Sequence, residues 1–146
     1  MHPVGYVRNQ VLEKKDTSWG EELSLIELQK EYRDGLTGLE DFSHAIILYH
    51  LDQAEYKSER HLQRRPQNRE DMPLRGIFAQ RAKDRPNAIG MTAVEVVAVG
   101  KGTLMVKGLD AVDGTPVLDI KPYYPVYDQK EACVPEWVTR LMEHYF

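Results

Sequence analysis

The sequence lacks the features that define several large protein classes. Its 146 residues include one cysteine, Cys133, which excludes an internal disulfide, and no Cys-x-x-Cys pair that could begin a thiolate zinc site. No stretch approaches the roughly 18 apolar residues of a membrane-spanning helix, and Met1–Gln10 has no apolar secretion-signal core. These absences favour a reducing compartment, and we predict a cytoplasmic location without membrane association.

Signatures of the common nucleotide-binding and metal-binding sites are also missing. There is no G-x-x-x-x-G-K-[ST] loop and no G-x-G-x-x-G turn after a strand, so neither a P-loop nor a Rossmann-type cofactor site is indicated. The histidines and carboxylates do not cluster at ligand spacing, and we predict no metal site. Cys133 has no adjacent histidine, so no catalytic role is assigned to it.

Charge is distributed unevenly along the chain. The formal net charge is −4, yet residues 57–85 hold nine Lys or Arg against four Asp or Glu, a local balance of +5. Such a run is often only solvated surface. Each phosphate that an arginine neutralises nevertheless adds affinity through counterion release. We therefore predict an RNA-binding arm that contains Arg64, Arg65 and Arg69.

Short apolar segments separated by glycine and proline predict a mainly β protein. Gly100–Gly102 is typical of a hairpin turn, and Pro135 with the pair Trp137 and Leu141 indicates a short C-terminal helix. Trp19 is expected in the core. Strands are expected near Val4–Val7, Ala45–Leu51, Gly76–Gln80, Ala93–Val99, Thr103–Val106 and Val117–Ile120. This pattern indicates an antiparallel β-barrel with short helices, in a single domain over residues 1–146.

Two loops carry more hydrogen-bonding groups than a strand connection requires. The first lies within Pro73–Gly90 (PLRGIFAQRAKDRPNAIG) and the second within Leu109–Tyr123 (LDAVDGTPVLDIKPY). Taken alone, the Asp-Gly pair of the second loop is explained by a tight turn. Polar loops of this kind on short strands usually carry function, and we treat both as parts of a ligand site.

Together and in this order, the two loops resemble the TsaA-like (TrmO-type) family of tRNA methyltransferases. The family motifs G-hydrophobic-F-A-T-R-x-x-x-R-P-N-P-I-G and L-D-x-x-D-G-T-P-hydrophobic-L-D-I-K-P-Y correspond to Gly76–Gly90 and Leu109–Tyr123. Gly35–His44 is a third similar segment. The chain departs from the first motif at Gln80 and Ala88, where the family has Thr and Pro. Many members carry a further C-terminal domain, so the likeness is to the short, single-domain form.

The resemblance implies a β-barrel that binds S-adenosylmethionine and methylates N6 of threonylcarbamoyladenosine beside the tRNA anticodon. Arg81 can pair with the cofactor carboxylate, and Asp113 can accept from a hydroxyl or amine. Asp113 and Asp119 are the candidates that would accept the proton of the attacking nitrogen. The implied cofactor contacts are Arg81, Arg85, Asn87, Ile89, Gly90, Met91, Val112, Asp113, Gly114 and Thr115.

Two alternative functions stay open at this point. One is a module that binds S-adenosylmethionine or RNA without turnover, such as a sensor, and the other is a methyltransferase with a small-molecule or protein acceptor. The basic arm disfavours a small-molecule acceptor. A homodimer is expected from the resemblance and from apolar and aromatic residues near the C-terminus, namely Tyr123, Tyr124, Tyr127, Trp137, Tyr145 and Phe146.

Overall fold

A computed structural model describes residues 1–146. The strands are β1 (Gly5–Arg8), β2 (Leu23–Leu28), β3 (His44–His50), β4 (Gln63–Arg64), β5 (Arg75–Gly76), β6 (Ile89–Val99), β7 (Thr103–Lys107) and β8 (Pro116–Pro122). The α-helices are α1 (Ser58–His61), α2 (Pro125–Asp128) and α3 (Glu136–Leu141). Turns of 3-10 helix cover Lys30–Leu36, Leu39–Asp41, Pro66–Asn68 and Ile77–Ala79.

Six strands close into a barrel in the order β1-β2-β7-β6-β3-β8, and neighbouring strands are antiparallel. Strands β4 and β5 form a separate two-stranded ribbon. The prediction of an antiparallel β-barrel with short helices, one of them near the C-terminus, is confirmed. No helix of the structure has the length and apolar character needed to cross a membrane.

Alternate side chains of the strands fill the barrel, as expected for extended backbone with a two-residue period. On β3, for example, Ala45, Ile47 and Tyr49 are buried, whereas Ile46 and Leu48 point to the outside and are partly exposed. The core cluster consists of Val7, Ile26, Leu28, Leu36, Leu39, Ala45, Ile47, Tyr49, Val94, Leu104, Val106, Leu109, Ala111 and Val117.

The strand register brings four loops to one end of the barrel, which we call the loop end. His50 pairs with Ile89, so the segment after β3 lies beside the segment before β6. Tyr6 pairs with Pro116, which places the β1–β2 loop beside the β7–β8 connection. The loop end therefore consists of residues 9–22, 51–62, 77–88 and 108–115.

One predicted strand is wrong in its extent, and one buried side chain lies in an unexpected place. The strand expected over Gly76–Gln80 ends at Gly76, because the chain then turns so that the Gln80 N–H donates to the Ile77 carbonyl at 3.1 Å. Trp19 is fully buried as predicted, but it lies at the loop end and outside the barrel core. Its indole N–H donates to the Lys15 carbonyl at 3.0 Å.

Gly90 lies close to the Tyr49 ring, and a substitution at Gly90 tests this packing. A Cβ atom at Gly90 would overlap carbon atoms of that ring, which is buried in the core and cannot move freely. Overpacking of this kind costs about 1–3 kcal/mol. We expect Gly90→Ala to lower the free energy of unfolding in urea by that amount. Gly35→Ala is the matched control, since a Cβ there has no neighbour within 4 Å, and an equal loss in both variants would contradict this packing.

Candidate functional site

A cleft opens at the loop end between the segment that follows β3 and the connection from β7 to β8. It is lined by Lys14, Leu51, Asp52, Gln53, Ala54, Lys83, Asp110, Ala111, Val112 and Thr115. Two lysines and two aspartates therefore face one small volume. This mixture suits a ligand that carries both a positive and a negative group.

The segment Asp110–Thr115 forms one wall of the cleft, and its Asp113–Thr115 turn is fixed by hydrogen bonds. Gly114 has a φ of 85°, a left-handed conformation that favours glycine. The Thr115 hydroxyl donates to the Val112 carbonyl at 2.7 Å, and Asp113 Oδ1 accepts the Asn9 N–H at 3.0 Å. The tight turn suggested by the Asp-Gly pair is present, and the same turn shapes the cleft.

Three consecutive backbone donors of this wall have no acceptor within the protein. The N–H groups of Asp110, Ala111 and Val112 take part in none of the backbone or side-chain hydrogen bonds of the chain. Ala111 is only 3% exposed, and buried N–H groups are nearly always paired in native proteins. The cleft thus offers donors to an acceptor group of a ligand.

Hydroxyl groups surround the carboxylate of Asp110 in the same wall. Tyr49 donates to Asp110 Oδ1 at 2.8 Å, Thr92 donates to the same oxygen, and Tyr145 donates to Oδ2 at 2.5 Å. Burial and then the negative charge of Asp110 raise the pKa of both tyrosines above the ordinary value, so both remain neutral donors. We call these four residues the Asp110 cluster.

Sequence reasoning missed the Asp110 cluster. Its members lie 18, 35 and 61 residues from Asp110, and only Asp110 belongs to one of the two loop motifs. Tyr145 comes from the segment after α3, whose backbone is attached to the loop end by the bond from the Trp19 N–H to the Tyr145 carbonyl at 2.8 Å.

The predicted cofactor residues in and after the first loop differ in where their side chains lie. One bonds within the loop, and most of the others are exposed. Arg85 points back into its own loop and donates to the carbonyls of Gln80 at 2.9 Å and Ala82 at 3.1 Å. Arg81 donates to the Met91 carbonyl at 2.5 Å and is exposed. Exposed side chains accompany it at Asn87, Ile89 and Met91. Gly90 has no side chain, and its absence leaves space for the Tyr49 ring.

The second loop supplies the predicted residues that meet in the cleft. Val112 and Thr115 line it, and Asp113 and Gly114 lie between them in the turn. Asp119 lies elsewhere, on the outside of β8 opposite Leu48, and forms an ion pair with Lys121 at 2.7 Å. The two candidate proton acceptors, Asp113 and Asp119, are therefore not brought together.

The three arginines of the predicted RNA-binding arm have partners within the chain. Arg64 lies 3.5 Å from Asp84, and Arg65 donates to the Met72 carbonyl. Arg69 binds both oxygens of Asp71, at 2.7 and 3.0 Å. These bonds hold the arm in one folded conformation, and its binding to RNA stays a prediction.

Gln80 and Asp84 connect the basic arm to the first loop. The amide of Gln80, which stands where the resembled family has Thr, donates to the carbonyls of Arg64 at 3.0 Å and Arg75 at 2.8 Å. Asp84 accepts the Glu55 N–H at 3.0 Å and faces His61 at 3.7 Å. The departure at Gln80 thus has a structural role, which its polar character alone did not reveal.

Comparisons with known proteins agree with this architecture. Residues 13–129 match the tRNA-methyltransferase O N-terminal domain family. The chain is 36% identical over 132 residues to an S-adenosyl-L-methionine-binding protein of Archaeoglobus fulgidus, covering 88% of this chain and 91% of that protein. It is 40% identical over 96 residues to a tRNA (adenine(37)-N6)-methyltransferase of Mus musculus, covering 66% of this chain and 22% of that protein.

A solved structure shows the same fold. The crystal structure of TrmO from P. aeruginosa matches with a TM-score of 0.75 and 32% identity, covering 93% of this chain and 60% of that chain. A closed antiparallel barrel with a polar cleft among its loops defines a class distinct from the doubly wound nucleotide-binding folds. The chain belongs to the tRNA-methyltransferase O N-terminal domain family, and the resemblance drawn from the two loop motifs is confirmed.

Proposed function

We propose that this chain is an S-adenosylmethionine-dependent methyltransferase that modifies N6 of threonylcarbamoyladenosine beside the anticodon of tRNA. Its family membership and the names of its relatives support this reaction. The structural observation that supports it most is the cleft beside the Asp113–Thr115 turn, with unpaired backbone donors and charges of both signs. The proposed setting is the cytoplasm, in keeping with the free cysteine Cys133.

The cleft residues fit the functional groups of the cofactor. S-adenosylmethionine supplies an electrophilic methyl group when it is bound, and it carries a carboxylate, an ammonium, ribose hydroxyls and an adenine edge. Lysines and backbone N–H groups of the cleft suit the acceptors among these, and Asp52 and Asp110 suit the donors. We propose direct contacts from Val112–Thr115, with Arg85 fixing the first loop. The other predicted contacts, Arg81, Asn87, Ile89, Gly90 and Met91, do not line this cleft, and their contact with the cofactor stays a prediction.

Catalysis in this proposal comes mainly from alignment of donor and acceptor at about 3 Å. The acceptor nitrogen is urea-like and weakly nucleophilic, so a carboxylate that takes up its proton assists the transfer. Asp113 is our first candidate because its Oδ1 is anchored by Asn9 while its other oxygen has no donor in the protein. Asp119 is the second candidate, and its ion pair with Lys121 makes it less available.

We propose that the tRNA contacts the basic segment 57–85. Among its cations Arg65 and Arg75 are exposed and have no carboxylate within 4 Å, so their charges are available to phosphates. Phe78, which is 80% exposed, follows the β4–β5 ribbon directly and offers a ring on which an unpaired base can stack. Arg64 and Arg69 belong to the same surface.

We propose a homodimer formed through the outer face of β3 and β6. Apolar side chains are paired there, with Leu48 opposite Met91 and Ile46 opposite Ala93. Met91 is 48% exposed. The C-terminal aromatic residues give less support than their number suggested, because Trp137 is buried in its own chain. Tyr124 stacks between Phe42 and Tyr127, at centroid distances of 5.9 and 5.8 Å.

The reaction is tested by incubating the protein with S-adenosylmethionine and tRNA that carries threonylcarbamoyladenosine, followed by mass spectrometry of the nucleosides. We expect one added methyl group on that nucleoside, and none with tRNA that carries unmodified adenosine at the same position. Cofactor binding without turnover would identify a sensor instead. Methylation of another acceptor with the tRNA unchanged would overturn the proposed substrate.

The RNA surface is tested with the double variant Arg65→Ala/Arg75→Ala, which removes two exposed arginines that have no carboxylate partner. We expect weaker tRNA binding and a log–log salt slope that is flatter by roughly 0.9 or less for each phosphate that is no longer neutralised, with affinity for S-adenosylmethionine unchanged. Lys30→Ala/Lys101→Ala removes two cations at the opposite end of the barrel and serves as the control. Equal effects of the two double variants on tRNA binding would show that only the overall charge matters.

The proposed dimer is tested by light scattering at micromolar concentration. We expect a dimer for the unmodified chain and a monomer for Met91→Lys, because a charge in an apolar interface is left unpaired. Val126→Lys, at a side chain that is 83% exposed on α2, is the control and should remain dimeric. A monomeric unmodified chain would rule the interface out.

A further inference from the structure

The Asp110 carboxylate is held in one orientation by its neighbours. Tyr49 and Thr92 occupy Oδ1, and Tyr145 occupies one side of Oδ2. An ionised carboxylate has about four acceptor positions, so three hydroxyl donors leave one position on Oδ2 unused. The side chain is oriented before any ligand arrives, which lowers the entropic cost of binding a donor.

No cation of the protein neutralises this carboxylate. Asp110 forms no ion pair with Lys, Arg or His within 4 Å, unlike Asp71, Asp84 and Asp119. Its three partners are neutral hydroxyls, and the C-terminal segment covers it through Tyr145. A half-buried carboxylate with this environment attracts a cationic donor, because the pair would be screened less than at an open surface.

The opposite charge lies in the same cleft. Lys83 lines it, is 38% exposed in its side chain and reaches Asp84 only at 3.8 Å, beyond hydrogen-bonding distance. Its ammonium is therefore available for an anionic group of a ligand. Ala111 and Val112 also line the cleft, and their N–H groups, which have no acceptor in the protein, are further candidate donors to a ligand.

We propose that Asp110 binds the ammonium group of a zwitterionic ligand in this cleft and that Lys83 pairs with the ligand's carboxylate. A ligand with a positive charge alone would leave Lys83 and the backbone donors unpaired. A purely anionic ligand would meet Asp110 with repulsion. The inference rests on the proposed function, in which the zwitterion is the amino-acid end of S-adenosylmethionine. Tyr145 is then a positioning residue that acts through Asp110.

The test compares two ligands by isothermal titration calorimetry on the full chain. S-adenosylmethionine carries the zwitterion, whereas 5′-methylthioadenosine lacks the amino-acid end and has a neutral thioether in place of the sulfonium. S-adenosylhomocysteine, which has the zwitterion and a neutral thioether, separates the two differences and should respond as S-adenosylmethionine does. We expect Asp110→Asn to weaken binding of S-adenosylmethionine about tenfold, as for loss of one charge-assisted hydrogen bond. Binding of 5′-methylthioadenosine should change by less than about twofold. Lys83→Gln, at the cleft surface, should give the same pattern and decides the question if Asp110→Asn fails to fold.

Two substitutions far from the cleft serve as matched controls. Asp41→Asn and Lys101→Gln make the same chemical changes at the opposite end of the barrel and should affect neither ligand. If Asp110→Asn weakened the binding of both ligands equally, Asp110 would have a purely structural role and the inference would be overturned. Unchanged affinity for S-adenosylmethionine in both Asp110→Asn and Lys83→Gln would overturn it as well. An unmodified chain that binds neither ligand would refute the proposed function. One that binds both ligands equally would refute only the zwitterion site.

Discussion

The hydrogen bond between the Tyr49 hydroxyl and Asp110, at 2.8 Å, joins the barrel core to the cleft. The Tyr49 ring is 3% exposed, fills the barrel beside Gly90 and carries a hydroxyl that must be paired where it emerges at the loop end. Asp110 lies in the connection from β7 to β8, so this bond fixes one wall of the cleft relative to the core. Tyr145 binds the same carboxylate, which attaches the C-terminal segment to the same point.

Much of the fold could be predicted because its determinants are local. The alternation in Ala45–Leu51 and the Asp-Gly pair of the second loop each dictate structure within a few residues. The Asp110 cluster could not be predicted, since its hydroxyl donors come from distant parts of the chain and carry no periodic signal. The end of the strand at Gly76 was not predicted because one of the hydrogen bonds that fix the following turn joins residues distant along the chain. The side chain that holds the turn, Gln80, bonds to carbonyls on both strands of the ribbon.

The charge pattern of the sequence defines a basic segment but does not show which of its cations already have partners within the chain. The basic segment is real, but Arg64 and Arg69 are partly neutralised by Asp84 and Asp71. The Arg64–Asp84 pair and the Gln80 amide join the arm to the loop that precedes β6. The proposed acceptor surface and the proposed cofactor cleft are thereby joined through the first loop. Such an arrangement suits a reaction whose rate depends on alignment.

We propose that the cofactor lies in the cleft at the loop end, against the wall that Tyr49 and Asp110 hold in place. The crystal structure of this chain with S-adenosylmethionine tests it most directly. We expect ligand density between Leu51–Ala54 and Val112–Thr115, with the amino group of the ligand at the free side of Asp110 Oδ2. Ligand bound only on the outer face of β3 and β6, with the cleft empty, would contradict it.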